Sequence, residues 1–417
     1  MPGTGEPDTT DRSVLREPAF VRLWIGTTAS GLATWALPFV LGLGVVEGVV
    51  GVGALGVVLA ARTVGFLVAV PISGVIADRW SRRAVIWSAG LVSAVASVGI
   101  AVGLGWSPAL MIVAAGVSGA GQGACRPAFQ ALTAEVVDAV RRQQANAALT
   151  LAVRGTTLVA PGGTALLGAL VGVRSLLLVV GLLWLVAAVL PPSGGPVRTA
   201  SAPGPRALVG EFVEGLREAR RHPWFLAGLG ALTTVIATGY SATGVALPLV
   251  SREQFGSEVV LAGALTGYTL GALLGALLVA RWRPRSAGWA ALAGLAVYGF
   301  APLALMLPVP VAVIVAAYVV AGIGIELFNV PWFTATQREV EPRLLARVSS
   351  LDFLFSYGLA PLGLALIAPA IVTFGVTPVL GVCAVLCFAA PAVAALVPSS
   401  RHFAVRRSEV RTSAEGR

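Results

Sequence analysis

The carboxyl group of Glu326 interrupts the apolar stretch "AGIGIELFNV" at residues 321–330. A charged side chain inside so apolar a segment is energetically costly, and such residues are functional candidates by default. A medium of low dielectric favours the protonated, neutral form of a carboxyl, so the group can take up and release a proton as its surroundings change. We interpret Glu326 as a proton-coupling residue. A permanent structural pair with Arg126 or Arg154 is the alternative interpretation.

Other polar side chains also lie inside apolar stretches, and they are candidates to line a substrate cavity. Arg154 is interpreted either as a binding group for an anion or as a counter-charge to Glu326. Asp352 is expected near a helix start, where a negative charge is favourable, so a structural role competes with a functional one. Arg62 is expected near the outer end of its segment, where its side chain either extends to the membrane surface or has a functional role. The cavity candidates are Gln122, Arg126, Arg154, Asn329, Asp352, Tyr240 and Tyr357.

The composition argues against most other kinds of chemistry. All 29 basic residues are arginine, so the lysine of a Walker A loop and a Schiff-base lysine are both missing. The sequence shows no set of nucleophile, base and orienting group, no metal-ligand cluster and no phosphate loop. We therefore expect no enzyme activity, no metal and no cofactor. The arginines fall in separate short loops rather than in one patch, which argues against nucleic-acid binding.

Long apolar stretches predict an all-α membrane protein. The chain of 417 residues is 57% hydrophobic and only 12% charged, whereas soluble domains carry about 25% charged residues. A helix needs about 20 apolar residues to cross the hydrocarbon core of a bilayer. Twelve stretches are predicted to span the membrane: 21–45, 51–77, 84–105, 109–133, 146–170, 174–191, 224–250, 259–280, 286–307, 310–334, 349–371 and 376–397.

The distribution of arginine predicts the orientation of these spans. The net charge is +10, and one set of alternating connections, together with both termini, holds almost all of the arginines outside the spans. The other set holds only Arg174 and Arg252. Cytoplasmic loops of membrane proteins are enriched in basic residues, so both termini are predicted to be cytoplasmic. We expect a multi-pass protein of the inner or plasma membrane.

A polar segment in the middle of the chain predicts two bundles of six spans. The stretch "PPSGGPVRTASAPGPR" is typical of a flexible linker. The following stretch "ALVGEFVEGLREARRH" places Leu208, Phe212 and Leu216 on one face, which predicts a short amphipathic helix on the cytoplasmic membrane surface. The expected organisation is an N-terminal bundle at 1–191, this linker with its helix at 192–222, a C-terminal bundle at 223–398 and a polar cytoplasmic tail at 399–417.

The two predicted bundles resemble each other in sequence. The stretch "PAFQALTAEV" begins at Pro127, and "PWFTATQREV" begins 204 positions later at Pro331. The same offset places Gln122 at the position equivalent to Glu326. Two parallel repeats of this kind are typical of transporters whose substrate site lies near the membrane midplane, at the interface of the repeats. The repeat therefore predicts that both polar groups face a shared cavity.

The stretch "GVIADRWSRR" at residues 74–83 resembles the signature loop of the major facilitator superfamily. It lies between the second and third predicted spans, where that family has it. The resemblance covers nearly the whole chain and implies the family's fold, with twelve helices in two pseudo-symmetric bundles. The matching residues are Gly74, Asp78, Arg79, Arg82 and Arg83.

Within this family the chain looks most like the drug and siderophore exporters, the branch that resembles the enterobactin exporter. The stretch "ELFNVPWFTATQREVEPRLLARVSSLD" at 326–352 carries much of that likeness. The helix-bend motif of such antiporters is degraded here to Pro161, Gly162 and Gly163 after an alanine. The arginine that drug/proton antiporters have in span four falls at Gly119, and Arg126 is the expected substitute.

The resemblance also implies a gate on the cytoplasmic side. It implies that Asp78 lies against the start of span eleven, where a helix N-terminus favours negative charge. It implies that Arg82 pairs with an acidic residue near the end of span four, either Glu135 or Asp138. Both contacts would close the cytoplasmic side and break when that side opens.

These observations predict a secondary active transporter that works by alternating access. We expect a monomer that exports small amphipathic molecules, such as drugs, siderophores or natural products, in exchange for protons. A proton-coupled importer of a small polar or anionic solute is the alternative within this class. A non-transporting membrane receptor or a lipid flippase is the alternative of another class.

Overall fold

The computed structural model of the chain describes residues 13–79, 81–194, 205–256, 259–358 and 360–404. All regular secondary structure in these ranges is helical, as the apolar stretches predict. Two compact units divide the chain, Met1–Gly204 and Pro205–Arg417, and their boundary falls inside the predicted linker.

Within its described residues, the first unit contains five long helices. Helix α1 packs along α5, α2 packs along α4, and α3 lies against both α4 and α5. Gly172 adopts φ 72° and ψ 164°, a left-handed conformation that suits glycine and interrupts α5. This break divides α5 into the two segments that the sequence predicts as spans five and six. The helices are α1 Pro18–Val46, α2 Val52–Arg79, α3 Arg82–Gly103, α4 Pro108–Val136 and α5 Arg142–Val189.

The second unit contains ten helices within its described residues, because several of its spans are interrupted. Helix α9 packs along α12, α10 packs on α12 and α15, and α7 packs on α15. The helices are α6 Pro205–Arg220, α7 Pro223–Thr234, α8 Ser241–Glu253, α9 Val259–Arg281, α10 Ala287–Ala296, α11 Phe300–Met306, α12 Val311–Glu339, α13 Leu345–Gly358, α14 Ala360–Phe374 and α15 Val376–Ala395.

A π-helical segment, Val235–Tyr240, connects α7 to α8 within one continuous helical rod. Side-chain hydroxyls accompany this wide turn: Thr238 donates to the carbonyl of Thr234 at 2.7 Å, and Ser241 donates to that of Ile236 at 3.1 Å. Inside a bilayer, backbone groups that leave the α-helical ladder need such partners. Single-turn π segments occur often at functional sites.

Ten helical segments among the described residues are long and apolar enough to cross a membrane. The two remaining predicted spans are helical as well. Span five is the part of α5 before Gly172, and span eleven is formed by α13 and α14. The helices extend beyond the predicted spans by several residues at many ends, because apolar length marks the hydrocarbon core and not the helix termini.

The linker helix α6 packs against α7 and α13 of its own unit. Its buried positions include Gly215, Glu218 and Ala219, whereas Phe212 and Leu216 are only half-buried. The side chain of Leu208 lies outside the described residues. The buried side of the described part of α6 covers protein, and Phe212 and Leu216 lie at its margin.

Candidate functional site

Glu326 lies about halfway along α12, and its side chain is 1% exposed. Helix α9 approaches α12 closely here: a Cβ atom added at Gly275 would lie 3.2 Å from Cβ of Glu326. At 1.5 Å per residue, Glu326 is about 20 Å from either end of its helix. The carboxyl is therefore buried near the middle of its helix, and its role in proton coupling stays a prediction.

Gln122 lies about halfway along α4 and accepts a hydrogen bond from Arg62 of α2. Nη2 of Arg62 is 2.7 Å from Oε1 of Gln122 and 2.9 Å from the carbonyl oxygen of Thr34. The expectation that Arg62 extends to the outer membrane surface is therefore wrong. Arg62 lies about 15 Å from the start of α2 at Val52, and its side chain points to acceptors on two neighbouring helices.

Gly119 of α4 lies directly against the backbone of Arg62 in α2. A Cβ atom at Gly119 would overlap the backbone carbonyl of Arg62, so no larger residue fits without moving one of the helices. This is the position where the antiporter motif has its arginine. Arg62 supplies a guanidinium group at this level from the neighbouring helix, and its side chain bonds Gln122, one turn further along α4.

Arg126 lies one further turn along α4, with its Cζ atom 5.9 Å from the centre of the Phe66 ring. This distance is within the range of a cation–π contact. Arg126, Arg154 and Glu326 each have further contacts within the protein. Four of the predicted cavity residues are half-buried: Gln122, Arg126, Arg154 and Asn329.

Tyr240 ends the π-helical segment and is exposed, with 51% of its surface accessible. The side chain of Tyr357 lies outside the described residues. A second aromatic hydroxyl, which sequence reasoning did not single out, is more deeply placed: the hydroxyl of Tyr298 lies 3.1 Å from Oγ1 of Thr243. Tyrosine occurs too widely in membrane helices for its spacing alone to have identified this pair.

Asp352 is a buried carboxyl, 4% exposed, two turns into α13. The sequence predicts that Asp352 lies near the start of its helix, but the helix begins earlier, so Asp352 lies beyond the first turn. Oδ1 of Asp352 accepts hydrogen bonds from Nε1 of Trp332 at 3.3 Å and from Oγ of Ser356 at 3.2 Å. Trp332 stacks between Phe225 and Phe328. These contacts connect Asp352 to an aromatic cluster within the second unit.

Arg82 of the signature loop pairs with Glu135, the first of its two expected partners. Nη1 of Arg82, a residue 7% exposed, is 2.6 Å from Oε1 of Glu135 and also donates to the carbonyl of Ala131 at 3.1 Å. Asp138 instead pairs with Arg141 at 2.7 Å. The hydrogen bond that Arg141 donates to the Asp138 carboxylate raises the pKa of the Arg141 guanidinium.

Arg83 binds backbone carbonyl oxygens, whereas its neighbour Arg82 pairs with a carboxylate. Its guanidinium donates to the carbonyl oxygens of Ala188 at 2.6 Å and Val189 at 2.9 Å, at the end of α5. A positive charge at a helix C-terminus is stabilising, because the last carbonyls lack partners within the helix. The surroundings of Gly74 and the side chains of Asp78 and Arg79 are not among the described features. The contact of Asp78 with the start of span eleven therefore stays a prediction.

The helix-bend motif Pro161, Gly162 and Gly163 lies within α5. Backbone dihedrals stay helical there, and the non-helical residue of α5 is Gly172 instead. In the described part of the chain, no group of three or more His, Cys, Asp and Glu residues could hold a metal ion. The three cysteines are buried and free.

Two helical units, long apolar helices and ionisable groups at mid-helix are the features of a multi-pass membrane transporter. Residues 23–364 match the family model for the Major Facilitator Superfamily, and the chain belongs to this family. Its members are secondary transporters.

A search of the curated proteins found no match to the chain. Among solved structures, the chain is similar to the human organic anion transporter MFSD10 (TETRAN), with a TM-score of 0.74 and 16% identity. The match covers 90% of this chain and 99% of that one. At this identity the likeness concerns the fold, and the exporter branch stays a prediction.

Proposed function

We propose that the protein is a proton-coupled exporter of small amphipathic molecules that works by alternating access, with Glu326 as its proton site. The observation that carries this proposal is the complete burial of the Glu326 carboxyl in the middle of α12. The protein would act as a monomer in the inner or plasma membrane, with both termini in the cytoplasm, where the basic connections favour their placement.

The proposed coupling follows from the free energy of a buried charge. The neutral carboxyl tolerates the low dielectric around α12, and the carboxylate is favoured when water or a cation reaches it. A conformational cycle that exposes Glu326 alternately to each side would therefore load a proton from outside and release it to the cytoplasm. If substrate binds only while Glu326 is deprotonated, the export of substrate is coupled to the entry of protons.

The proposed gate uses the arginine-rich ends of the first unit. The ion pair between Arg82 and Glu135 joins the start of α3 to the last turn of α4. The resemblance adds Asp78, whose partner would lie at the start of span eleven. Weakening these contacts is expected to favour the state open to the cytoplasm. Asp78→Asn should accelerate the modification of cysteine probes on that side, and unchanged modification rates would contradict this part of the proposal.

Transport into inside-out membrane vesicles with an imposed pH gradient tests the function directly. A panel of dyes, antibiotics and siderophores is offered outside vesicles whose lumen is made acidic. An exporter that exchanges protons should accumulate at least one member of the panel in the lumen, and a protonophore should abolish the accumulation. Transport that is indifferent to the gradient would refute proton coupling.

Import of a small polar or anionic solute is the second candidate, and the arginines at mid-helix in the first unit favour it. Arg62, Arg126 and Arg154 are suited to a negatively charged substrate. The same vesicles distinguish the two directions. An importer driven by protons should release a preloaded solute from the acidic lumen, whereas the exporter should retain and accumulate it.

A further inference from the structure

Arg62 is held in place through one nitrogen of its guanidinium group. Both of its hydrogen bonds within the described part of the chain run through Nη2, to Gln122 and to the carbonyl of Thr34. A guanidinium carries five N–H donors in a planar fork, so Nη1 and Nε remain to bind a ligand. Their N–H bonds point to different edges of the planar group, so each of these nitrogens can donate a separate charge-assisted hydrogen bond to an anionic oxygen. The side chain is therefore oriented in advance for an anionic group.

The backbone around Arg62 is also fixed. Helices α2 and α4 are in close contact at Arg62 and Gly119, where a Cβ atom would not fit. A second close approach follows one turn later, where a Cβ atom at Gly123 would lie 2.6 Å from the carbonyl oxygen of Phe66. A guanidinium on a rigid helix pair loses little entropy when it binds a ligand.

The interior of the first unit carries positive charge. Every aspartate and glutamate in residues 13–194 lies in a connection or in the last turn of a helix. The arginines at mid-helix are Arg62, Arg126 and Arg154, and Arg126 lies one turn along α4 from Gln122 on the same face. A positive charge in surroundings of low dielectric attracts an anion more strongly than the same charge does in water.

We propose that Arg62, oriented by Gln122, binds an anionic group of the transported molecule, a carboxylate or a sulfonate on an otherwise apolar organic body. This inference rests on the proposed transport function and applies to either direction of transport. Gln122 acts as a positioning residue through its hydrogen bond to Nη2. Phe66 and the apolar surface of α2 and α4 suit the apolar part of such a molecule.

Binding of two isosteric probes to the purified full-length protein tests the proposal. Naphthalene-2-sulfonate and the neutral naphthalene-2-sulfonamide differ mainly in charge, and calorimetric titration in phosphatidylcholine nanodiscs compares their affinities. The parent is expected to prefer the sulfonate by about tenfold or more, since hydrogen bonds to charged groups have this strength. In Arg62→Gln the preference should fall to near unity.

Two further variants keep the test decisive. Gln122→Glu places a carboxylate beside the Arg62 guanidinium, so this internal anion should compete with the sulfonate and reduce the preference even if Arg62→Gln folds poorly. Arg174→Gln is the matched control, because Arg174 bonds the carbonyl of Leu104 at the turn after α3 and should leave the preference unchanged. A parent that does not prefer the sulfonate, or an Arg62→Gln variant that keeps the preference, would overturn the proposal.

Two more measurements separate this proposal from its alternatives. Anionic phosphatidylglycerol in the nanodiscs should leave the sulfonate affinity unchanged, and competition by this lipid would assign the site to a lipid headgroup and contradict a solute site. Anion preference without a response to the pH gradient would refute proton coupling alone. Proton-driven transport without anion preference would refute the role of Arg62 alone.

Discussion

Helices α4 and α12 occupy equivalent places in the two units, and both are 29 residues long with a proline inside, Pro127 and Pro331. Their central polar residues differ. Gln122 in α4 is a neutral amide that holds a cation, Arg62, whereas Glu326 in α12 is a buried carboxyl. Each unit therefore has a polar residue at the middle of this helix, and the residue is neutral in α4 and acidic in α12.

The same contrast extends through both units. Arginine is the ionisable residue at mid-helix in the first unit, and Glu326 and Asp352 take that place in the second, whose arginines lie in connections or within a turn or so of helix ends. A cation suits an anionic substrate, and a buried carboxyl suits a proton. Under the two proposals above, anion binding would belong to the first unit and proton coupling to the second.

The largest effect is expected from Glu326→Gln, which removes the titratable group and keeps its shape. Transport driven by a pH gradient in vesicles should fall to the level of protein-free vesicles, while substrate binding stays measurable. Glu253→Gln, the same change at an exposed residue at the end of α8, should leave transport intact. Unchanged proton-driven transport in Glu326→Gln would refute the proposal that the second unit carries the proton site.

Gly119→Ala tests the rigid helix contact that positions Arg62. The added methyl group overlaps the Arg62 carbonyl, and overpacking of this kind typically costs about 1–3 kcal/mol. Thermal unfolding in detergent should therefore occur at a lower temperature. The control Gly155→Ala lies in α5 with open space around it, so it should be neutral or stabilising by up to about 1 kcal/mol. Equal shifts in the two variants would contradict the close approach of α2 and α4.

Asp352 tests whether both carboxyls of the second unit take part in coupling. We expect Asp352→Asn to keep proton-driven transport, since an amide oxygen can still accept from Trp332 and Ser356. Asp352→Ala leaves these donors without their acceptor, at a cost of about 1–3 kcal/mol in the free energy of unfolding. Thermal unfolding and vesicle transport measure the two effects. Loss of coupling in Asp352→Asn would make Asp352 a second proton site.

The smallest effect is expected at the ion pairs near the arginine-rich helix ends. Glu135→Gln weakens the pair with Arg82 in the first unit, and Glu214→Gln weakens the 2.6 Å pair between Arg347 and the linker helix in the second. Partly exposed pairs are worth about 1 kcal/mol or less. Only Glu135→Gln should change the access of a thiol reagent to a single cysteine placed at Val140. Equal labelling rates in Glu135→Gln and its parent would argue against the gate.

Fold and family could be predicted from the sequence, because the length of apolar stretches and the signature loop are local signals. The partner of Arg82, either Glu135 or Asp138, could not be predicted from the sequence. It depends on where α4 ends: Glu135 lies in the last helical turn, whereas Asp138 lies beyond it and pairs with Arg141. A helix boundary is the least certain element of a sequence-based prediction.

The importance of Arg62 was also hidden from the sequence. Its position along α2 does not tell whether the side chain points to the outer membrane surface or to an acceptor on a neighbouring helix. The motif of drug/proton antiporters expects an arginine on span four, and here the guanidinium reaches the same level from α2. A sequence motif gives the position of a residue along the chain. A residue on a neighbouring helix can place the same chemical group at that point in space, and the motif does not show this.

The π-helical segment Val235–Tyr240 has a consequence for amide hydrogen exchange. The backbone N–H groups of this wide turn depart from the α-helical hydrogen-bond pattern of α7 and α8, so we expect the turn to open at a lower free energy than the helices on either side. The backbone amides of these residues should therefore exchange with deuterium before those of α7 and α8. Span seven would then open from its centre, while most long helices fray from their ends.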